Sequence, residues 1–328
     1  MNNKYTSIIA GGAGFIGVNL LPKLIDEGRQ VAVIDNMSRG RREYITALPK
    51  NIQKEISLYE GDCADLDFLS KTFESIISKG ELIDEVWHLA ANSDIPAGVQ
   101  DANVDLKDTF LSTFGLLQAM KKFDILNLHF ASSSAIYGDL GAAILYESIG
   151  PLLPISNYGA MKLASEAIAS ASAEAFLKRV NLFRFPNVVG TPATHGVILD
   201  FVNKLLLTPS QLVVLGDGTQ QKSYLHVSDL VSAMLTVRAQ PVTSKVCVVN
   251  VGPIDEGVTV KWIAEQVIKI VAPDAFIKFG IGNKGWVGDV PKFSYSTEKL
   301  QSFGWRPELD SAGAVIRAIN EIAVQLGR

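Results

Sequence analysis

Tyr158 and Lys162 are the residues whose types and spacing most directly suggest chemistry in this chain. They stand four residues apart in a stretch, 156–178, whose pattern predicts a long helix, and residues at that spacing share a helix face. An ammonium group beside a phenol favours the phenolate, which could remove a proton from a hydroxyl as a general base. Alone, such a pair is usually an ordinary feature of a helix surface. A serine run, 132–134, ends the preceding predicted strand and favours the catalytic interpretation.

A glycine turn near the start of the chain predicts a site for a pyrophosphate. Gly11, Gly14 and Gly17 lie between a predicted strand, 5–10, and a predicted helix, 15–27. Glycines let the backbone approach a phosphate closely because no Cβ stands in the way. The helix that follows would point free N–H groups at the phosphate, and Gly17 would let that helix pack tightly on the sheet.

An acidic residue lies where a dinucleotide-binding unit needs one. The apolar run 31–34 ends in Asp35, roughly 20 residues past the glycines, where a carboxylate would hold the ribose of an adenosine. A plain βαβ turn with no ligand is the alternative. The order of strand, turn, helix, strand and acid favours a dinucleotide.

Short apolar runs and helical patterns alternate through the first half of the chain. Further strands are expected at 55–59, 85–91, 126–132 and 181–185, and a helix at 106–122. This alternation predicts an α/β fold, a doubly wound parallel sheet with helices on both faces. Ligands in such sheets bind at the carboxyl ends of the strands. Several candidate residues fall at such ends: Asp35, Asp62, Ala90, Ala91, the serine run and Asn187.

The pattern loosens after about Phe185, where glycines and prolines cluster and shorter helices follow, such as 259–271 and 312–326. We therefore expect a Rossmann domain that binds the dinucleotide over 1–185. A smaller, partly discontinuous C-terminal lobe over 186–328 would bind the substrate, with some segments returning to the first domain.

The composition is that of a soluble globular enzyme: 328 residues, 48% hydrophobic, 20% charged, with a net charge of −4. It gives no indication of nucleic acid as a partner, and no apolar run reaches the roughly 18 residues of a membrane span. Cys63 and Cys247 lie far apart and form no metal or redox motif, and the four histidines have no ligand spacing. With a first strand that begins almost at Met1 and no leader expected, a cytoplasmic setting is predicted.

A series of segments, taken together, resembles the extended short-chain dehydrogenase/reductase family. In chain order they are Gly11 to Gly17, Asp35-Asn36, Asp62, His88 to Ala91, Ser132 to Gly138, Tyr158 with Lys162, Arg184 to Gly190, Gly216 to Leu230 and Gly304 to Pro307. The resemblance covers almost the whole chain and favours the nucleotide-sugar epimerase and dehydratase branch of that family. It implies a Rossmann fold and a nicotinamide dinucleotide as cofactor.

The resemblance implies NAD, since an acidic residue, Asp35, takes the adenosine ribose hydroxyls. Arg39 could instead receive the 2′-phosphate of NADP, which is the alternative. The implied cofactor-binding residues are Gly11, Gly14, Phe15, Ile16 and Gly17 for the pyrophosphate, Asp35, Asn36 and Ser38 for the ribose pocket, Asp62 and Cys63 beside the adenine, Ala90 and Ala91 at the next strand end, and Tyr158 and Lys162 at the nicotinamide ribose.

The catalytic and substrate residues also follow from the resemblance. Ser133, Tyr158 and Lys162 would be the catalytic set, with a positive nicotinamide ring adding to Lys162 in favouring the phenolate of Tyr158. The implied substrate-binding residues are Ser93, Ser133, Tyr158, Asn187, Lys222 and Asp289. Asn187 and Lys222 would contact the diphosphate of a sugar nucleotide. Lys222 and Trp286 stand where the family usually has arginine, which grips a diphosphate with a planar fork.

Two positions reduce the number of reactions that the family resemblance allows. Ser134 and Ala135 stand where 4,6-dehydratases carry an Asp-Glu pair, so no acid is available there to protonate a leaving hydroxyl. We therefore expect an NAD-dependent nucleotide-sugar 4-epimerase that oxidises C4 transiently to a ketone. A sugar-nucleotide 4-dehydrogenase or 4-ketoreductase would use the same residues and release the keto sugar. A regulator that binds NAD or a sugar without catalysis is the alternative from another class.

The predicted helices 106–122 and 156–178 resemble the pair through which this family forms a dimer by a four-helix bundle. Both carry apolar residues beyond one buried stripe, such as Phe110, Phe114, Ile168 and Phe176. Those residues could equally pack on the sheet. A homodimer is the resulting expectation.

Overall fold

The computed structural model describes residues 5–141, 143–282 and 294–327, which fall into two compact units. The first unit takes the described residues within 1–138, 152–184 and 237–249, and the second takes those within 139–151, 185–236 and 250–328. Residues 139–151 thus group with the second unit, although we expected them in the first. Residues 237–249 return to the first unit because they supply the last strand of its sheet.

A seven-stranded sheet forms the centre of the first unit. Its strands are β1 (Tyr5–Ala10), β2 (Gln30–Asp35), β3 (Ile56–Glu60), β4 (Leu82–His88), β5 (Asn127–Ser133), β6 (Arg179–Phe185) and β7 (Val246–Asn250). Their order across the sheet is β3-β2-β1-β4-β5-β6-β7, and β1 to β5 pair in parallel. The predicted doubly wound sheet is confirmed, and the order of the strands reverses between β1 and β4.

Helices cover the sheet of the first unit. They are α1 (Phe15–Asp26), α2 (Arg42–Thr46), α3 (Lys50–Gln53), α4 (Leu66–Ser78), α5 (Ile95–Gln100), α6 (Ala102–Asp105), a π-helical turn (Leu106–Leu111), α7 (Ser112–Lys122), a 3-10 turn (Ser134–Tyr137) and α8 (Asn157–Ala175). Apolar runs at the carboxyl ends of β1 and β2 are typical of a sheet covered on both faces. Ile8, Ile9, Val33 and Ile34 are completely buried.

The predicted helix 106–122 is not one regular α-helix. Its first six residues, Leu106–Leu111, form a π-helical turn before α7 begins. The carbonyl of Thr109 accepts hydrogen bonds from the hydroxyls of Ser112, Thr113 and Ser165, at 3.1, 2.8 and 3.4 Å. Side-chain donors that compete for a carbonyl in this way disturb the regular ladder of an α-helix.

The second unit contains short two-stranded sheets and five helices among its described residues. Its strands are Ile144–Leu145, Asn187–Val189, Gln211–Val214, Gln221–Lys222, Tyr224–His226, Val258–Thr259, Phe276–Phe279 and Ser294–Tyr295. Its helices are α9 (Val197–Leu207), α10 (Val227–Ala239, whose last turn belongs to the first unit), α11 (Val260–Val271), α12 (Glu298–Ser302) and α13 (Ser311–Gln325). Helices α9, α11 and α13 pack together around the core of this unit. No helix within the described ranges combines the length and the apolar character needed to cross a membrane.

A buried ionic cluster holds the sheet of the first unit together. Glu85, on β4 and 3% exposed, accepts hydrogen bonds from Ser7 at 2.8 Å and from Arg238 at 2.7 Å. The guanidinium of Arg29 lies 3.4 Å from the same carboxylate, and His129 lies 3.2 Å from it. Burial would raise the pKa of Glu85, but the hydrogen bond with His129 and the two arginines hold it well below its usual range.

We expect Glu85→Gln to destabilise the first unit by about 3–5 kcal/mol, because both arginines would lose their buried counter-charge. The measurement is the free energy of unfolding in urea. Glu60→Gln is the matched control, since Glu60 pairs with Arg42 on the surface at 2.9 Å and an exposed pair contributes about 0–1 kcal/mol. Equal effects of the two substitutions would contradict a structural role for the buried cluster.

Candidate active site

The glycine turn after β1 is built on close backbone contacts. Gly11 has φ +79°, and a Cβ there would lie 2.6 Å from the backbone nitrogen of Ala90. A Cβ on Gly17 would lie 2.5 Å from the Cα of Gly12, so α1 rests directly on the turn. Gly14 is the N-cap of α1, and a Cβ there would meet the carbonyl oxygen of Gly11 at 3.3 Å. The turn therefore presents bare backbone at the start of a helix, which suits an anionic group.

Asp35 is fixed to the same turn. It ends β2, and its carboxylate accepts hydrogen bonds from the backbone N–H groups of Ala13, at 3.0 Å, and Met37, at 2.9 Å. Burial raises the pKa of Asp35, and these two hydrogen bonds act in the opposite direction. Gly40 makes room for the carboxylate, since a Cβ on Gly40 would lie 2.7 Å from its oxygens. The acid predicted to hold the ribose thus lies beside the turn predicted to hold the pyrophosphate.

The other predicted cofactor residues lie at neighbouring strand ends. Asn36 accepts hydrogen bonds from the backbone and hydroxyl of Ser38, at 3.0 and 2.7 Å, which shapes the loop after β2. Asp62 follows β3 and pairs with Lys107 at 3.1 Å, and the adjacent Cys63 is buried. The remaining candidates are Phe15 and Ile16, which open α1, and Ala90 and Ala91, which follow β4.

Arg39, the alternative partner for a 2′-phosphate, has a carboxylate beside it. Its guanidinium donates a hydrogen bond to Asp94 at 2.8 Å. Both side chains belong to the first unit, in the loops after β2 and β4. This pairing favours NAD over NADP, because the charge of Arg39 is already balanced.

Ser133 and Tyr158 are brought together by the packing of α8 on the end of β5. Ser133 is the last residue of β5, and its hydroxyl oxygen accepts a hydrogen bond from the N–H of Ala135 at 3.1 Å. The same hydroxyl lies near enough to Tyr158 to act on the pKa of its phenol. Gly159 permits this approach, since a Cβ there would lie 2.5 Å from the carbonyl oxygen of Ala135. Ser156 caps α8 through the N–H of Gly159 at 3.1 Å and so sets Tyr158 in its first turn.

Lys162 lies one turn further along α8 and is 2% exposed. Its ammonium donates a hydrogen bond to the carbonyl of Ala131 at 2.6 Å. The nitrogen lies 4.8 Å from the centre of the Phe130 ring and 5.9 Å from that of Tyr158. The three predicted catalytic residues therefore converge at the carboxyl edge of the sheet.

Burial controls the protonation of this group. It raises the pKa of Tyr158 to about 12, although the nearby hydroxyl of Ser133 acts in the opposite direction. It lowers the pKa of Lys162 to about 7. In the chain alone, desolvation is the largest influence on the pKa of Tyr158. That Lys162 and the positive ring of a bound cofactor together favour the phenolate stays a prediction.

A buried ion pair supports α8 behind the catalytic residues. Arg184, on β6, donates two hydrogen bonds to Glu166, on α8, at 2.9 and 2.6 Å, and a third to the hydroxyl of Tyr137 at 3.0 Å. Burial alone would lower the pKa of Arg184, but the carboxylate of Glu166 holds it above its usual range. The fork of Arg184 thus links β6, α8 and the turn after Ser133.

Several buried polar residues near this site had no role assigned to them from the sequence. His88 is completely buried, and its Nε2 lies 2.8 Å from the hydroxyl of Thr113 on α7. Burial and the charge of Lys162 lower the pKa of His88 to about 3, so the imidazole is neutral. Asn92 and Asp105 are also buried. The even helical spacing of Thr109 and Thr113 is the one sequence signal that could have indicated a polar helix face here.

The predicted substrate residues are divided between the units. Ser93 is partly exposed in the loop after β4 of the first unit. Asn187 is exposed at the start of its strand in the second unit, where it pairs in register with Tyr224. Lys222 lies two residues before Tyr224 on a separate short strand, Gln221–Lys222, which pairs with Val258–Thr259. Asp289 and Trp286 lie outside the described residues.

Comparison with known proteins agrees with this arrangement. The chain is 31% identical over 287 residues to a UDP-glucose 4-epimerase of Streptomyces lividans, a match that covers 82% of each chain. A crystal structure of a UDP-galactose 4-epimerase matches with a TM-score of 0.83 at 33% identity, covering 98% of this chain and 99% of that one. The UDP-glucose 4-epimerase of Thermus thermophilus, in complex with NAD, matches with a TM-score of 0.82 at 26% identity, covering 97% and 98% of the two chains.

The family model matches a segment that contains most of the chain. It spans residues 7–252, which includes the glycine turn, Asp35 and the Ser133–Tyr158–Lys162 group. The bare turn and the fixed carboxylate at neighbouring strand ends fit the dinucleotide that the family uses. The chain therefore belongs to the NAD dependent epimerase/dehydratase family, and its cofactor is NAD.

Proposed function

We propose that this chain is a nucleotide-sugar 4-epimerase that interconverts the C4 epimers of a UDP-hexose with tightly held NAD. The observation that carries the proposal is the convergence of Ser133, Tyr158 and Lys162 on the sheet edge that also carries the glycine turn. The relatives that match along the chain are named UDP-glucose and UDP-galactose 4-epimerases, which supports a UDP-hexose as substrate.

Each residue of the group has a proposed role. Tyr158, as phenolate, removes the proton of the C4 hydroxyl and returns a proton to the C4 oxygen when the ketone is reduced. Ser133 hydrogen-bonds the same oxygen and stabilises the charge that develops on it. Lys162 holds the nicotinamide ribose and keeps a positive charge near the phenolate. When bound, NAD supplies the acceptor and then the donor of the C4 hydride, and its positive ring favours the phenolate that burial alone opposes.

The remaining cofactor and substrate roles are part of the same proposal. Gly11, Gly14, Phe15, Ile16 and Gly17 hold the pyrophosphate, and Asp35 holds the adenosine ribose. Asn36, Ser38, Asp62, Cys63, Ala90 and Ala91 line the cofactor pocket. Asn187 and Lys222 bind the diphosphate of the sugar nucleotide, with Ser93 and Asp289 completing the substrate site.

Epimerisation fits the turn after β5 better than dehydration. Ser134 and Ala135 occupy the two positions that directly follow Ser133, and neither carries an acid. The backbone of Ala135 is committed to the turn, since its N–H donates to Ser133 and its carbonyl packs against Gly159. No acidic side chain that could protonate a leaving hydroxyl is therefore present in this turn.

The proposed reaction is tested by incubating the purified protein with UDP-glucose and following the products by proton NMR. We expect UDP-galactose to appear with no lasting NADH absorbance, because the same site oxidises and reduces C4. A 4-keto sugar released together with NADH would identify a dehydrogenase. Binding of the sugar nucleotide with neither product would identify a catalytically silent binding protein.

Tyr158→Phe should lower kcat by about 10²–10⁴-fold, the usual contribution of a general base. The protein should still carry NAD, because the glycine turn and Asp35 are unchanged. Tyr5→Phe is the matched control, since Tyr5 is 54% exposed at the amino end of β1 and should leave kcat unchanged. Substantial turnover by Tyr158→Phe would sink the assignment of the base.

We also propose that the protein is a homodimer formed through α7, its π-helical turn and α8. Leu106, Leu111 and Phe114 are 40%, 39% and 37% exposed along this segment, which supports an apolar contact. Ile168 and Phe176, the candidates on the second helix, instead pack against the core of the first unit.

Light scattering should report a dimer for the wild type and a monomer for Phe114→Lys, because a charge would enter the apolar contact. Ile77→Lys on α4, 43% exposed, should remain a dimer. A monomeric wild type would exclude the assembly.

Both cysteines are free, which agrees with the cytoplasmic setting that we propose.

A further inference from the structure

Asp105 carries a buried carboxylate that the proposed mechanism does not use. It ends α6, directly before the π-helical turn, and its exposure is 0%. One carboxylate oxygen, Oδ1, accepts a hydrogen bond from the amide of Asn92 at 2.9 Å. The other, Oδ2, has no hydrogen-bond partner among the described residues. Leaving an ionisable oxygen buried and unpaired costs free energy, so this arrangement calls for a compensating interaction.

The position of Asp105 is set by its neighbours. A Cβ on Gly98 would lie 1.8 Å from the free oxygen of Asp105, so the carboxylate occupies the space where residue 98 would carry a side chain. The carbonyl of Gly98 accepts a hydrogen bond from Asn157 at 2.8 Å. Asn157 is the first residue of α8 and directly precedes Tyr158. The carboxylate is thus set against the segment that carries the catalytic tyrosine.

Asn92 holds the carboxylate in place. Its amide nitrogen donates to Asp105 and to the carbonyl of Asp94, at 2.9 and 2.8 Å. Its amide oxygen accepts from the N–H of Asp94 at 2.9 Å, and its own N–H donates to the hydroxyl of Thr109 at 3.2 Å. All the polar groups of this side chain are therefore engaged, and Asp105 has little freedom to move away.

The charges around Asp105 are one cation and two anions. The ammonium of Lys162 is close enough to lower the pKa of Asp105, whereas Asp94 and Asp108 raise it and burial raises it most. Asp94 is paired with Arg39. Lys162 is therefore the cation that remains to balance Asp105 within the described part of the chain.

Four titratable groups face Lys162: Glu166, Asp105, His88 and Tyr158. Glu166 raises the pKa of Lys162 most and is itself held by the fork of Arg184, Asp105 raises it next, and the imidazole of His88 is neutral. Asp105 acts on both Lys162 and Tyr158. Among the described residues it is the carboxylate without a hydrogen-bonded cation that reaches the catalytic pair.

We propose that Asp105 is a positioning residue of the reaction: its carboxylate keeps the buried Lys162 in the ammonium form beside Tyr158 and so sets the pH range in which the pair works. The proposal rests on the proposed function for the roles of Lys162 and Tyr158. A negative charge at Asp105 raises the pKa of both groups. Removing it makes both lose their protons at lower pH.

Asp105→Asn is the direct test, because asparagine keeps the shape beside Gly98 and an acceptor for Asn92. The pH profile of kcat for UDP-hexose epimerisation should keep its bell shape. Both limbs should move to lower pH by about 1 unit, the lower end of the effect of one nearby charge. Asp108→Asn, which removes an equal charge that faces Lys107, Asp62 and Arg39 instead, should leave both limbs in place.

A second readout does not depend on turnover. The ultraviolet difference titration of the NAD-loaded protein against Tyr158→Phe isolates the ionisation of Tyr158, which should move to lower pH in Asp105→Asn. Asp105→Leu, which removes the charge and the unpartnered oxygen together, should give the same shift if Asp105→Asn folds poorly. A profile and a titration that overlay the wild type, or a loss of kcat with unmoved limbs, would overturn the proposal. A shifted titration in a protein that does not epimerise UDP-hexoses would reject the proposed function alone.

Discussion

The burial of one cation, the ammonium of Lys162, is the constraint on which the catalytic group of the first unit depends. Taking this charge out of water is costly, and the surrounding elements are arranged to offset that cost. The carbonyl of Ala131 accepts its hydrogen bond at 2.6 Å, and the ring of Phe130 lies 4.8 Å away. The neutral imidazole of His88 adds no second positive charge. Because Lys162 is deeply buried, its protonation is also sensitive to the two carboxylates that face it, Glu166 and Asp105.

Glycines, which have no side chain, set the positions of the other elements of the site. Glycines allow three close backbone approaches: Gly11 to the end of β4, Gly17 to the turn before it, and Gly159 to the turn after β5. Each approach joins an element that carries a proposed ligand or catalytic group to the carboxyl edge of the sheet. The cofactor and the catalytic residues thus share one frame, in which a displacement of about 1 Å would be expected to lower the rate substantially.

Much of this arrangement follows from the sequence. The run Ile8 to Ala10 is apolar on both faces, and β1 is found at the predicted residues. The pattern around Ser156 and Tyr158 predicts the start of α8 because a serine cap and a glycine fix the first turn. Tyr158 and Lys162 share a helix face by spacing alone.

Other features depend on tertiary contacts that no local pattern displays. The π-helical turn at Leu106–Leu111 lies where hydroxyls from α7 and α8 donate hydrogen bonds to the carbonyl of Thr109. Asp105 reads as an ordinary polar helix residue, and its burial follows from a missing side chain at Gly98. The raised pKa of Tyr158 likewise reflects how deeply α8 packs, which spacing does not reveal.

The most direct test of the account is to supply UDP-glucose carrying deuterium at C4 and to examine the UDP-galactose formed. Transient oxidation in a closed site, with the same hydrogen returned to the opposite face, predicts that the product keeps its deuterium at C4. Replacement of that deuterium by hydrogen from water would contradict the account, because it would mean that C4 is deprotonated rather than oxidised and reduced.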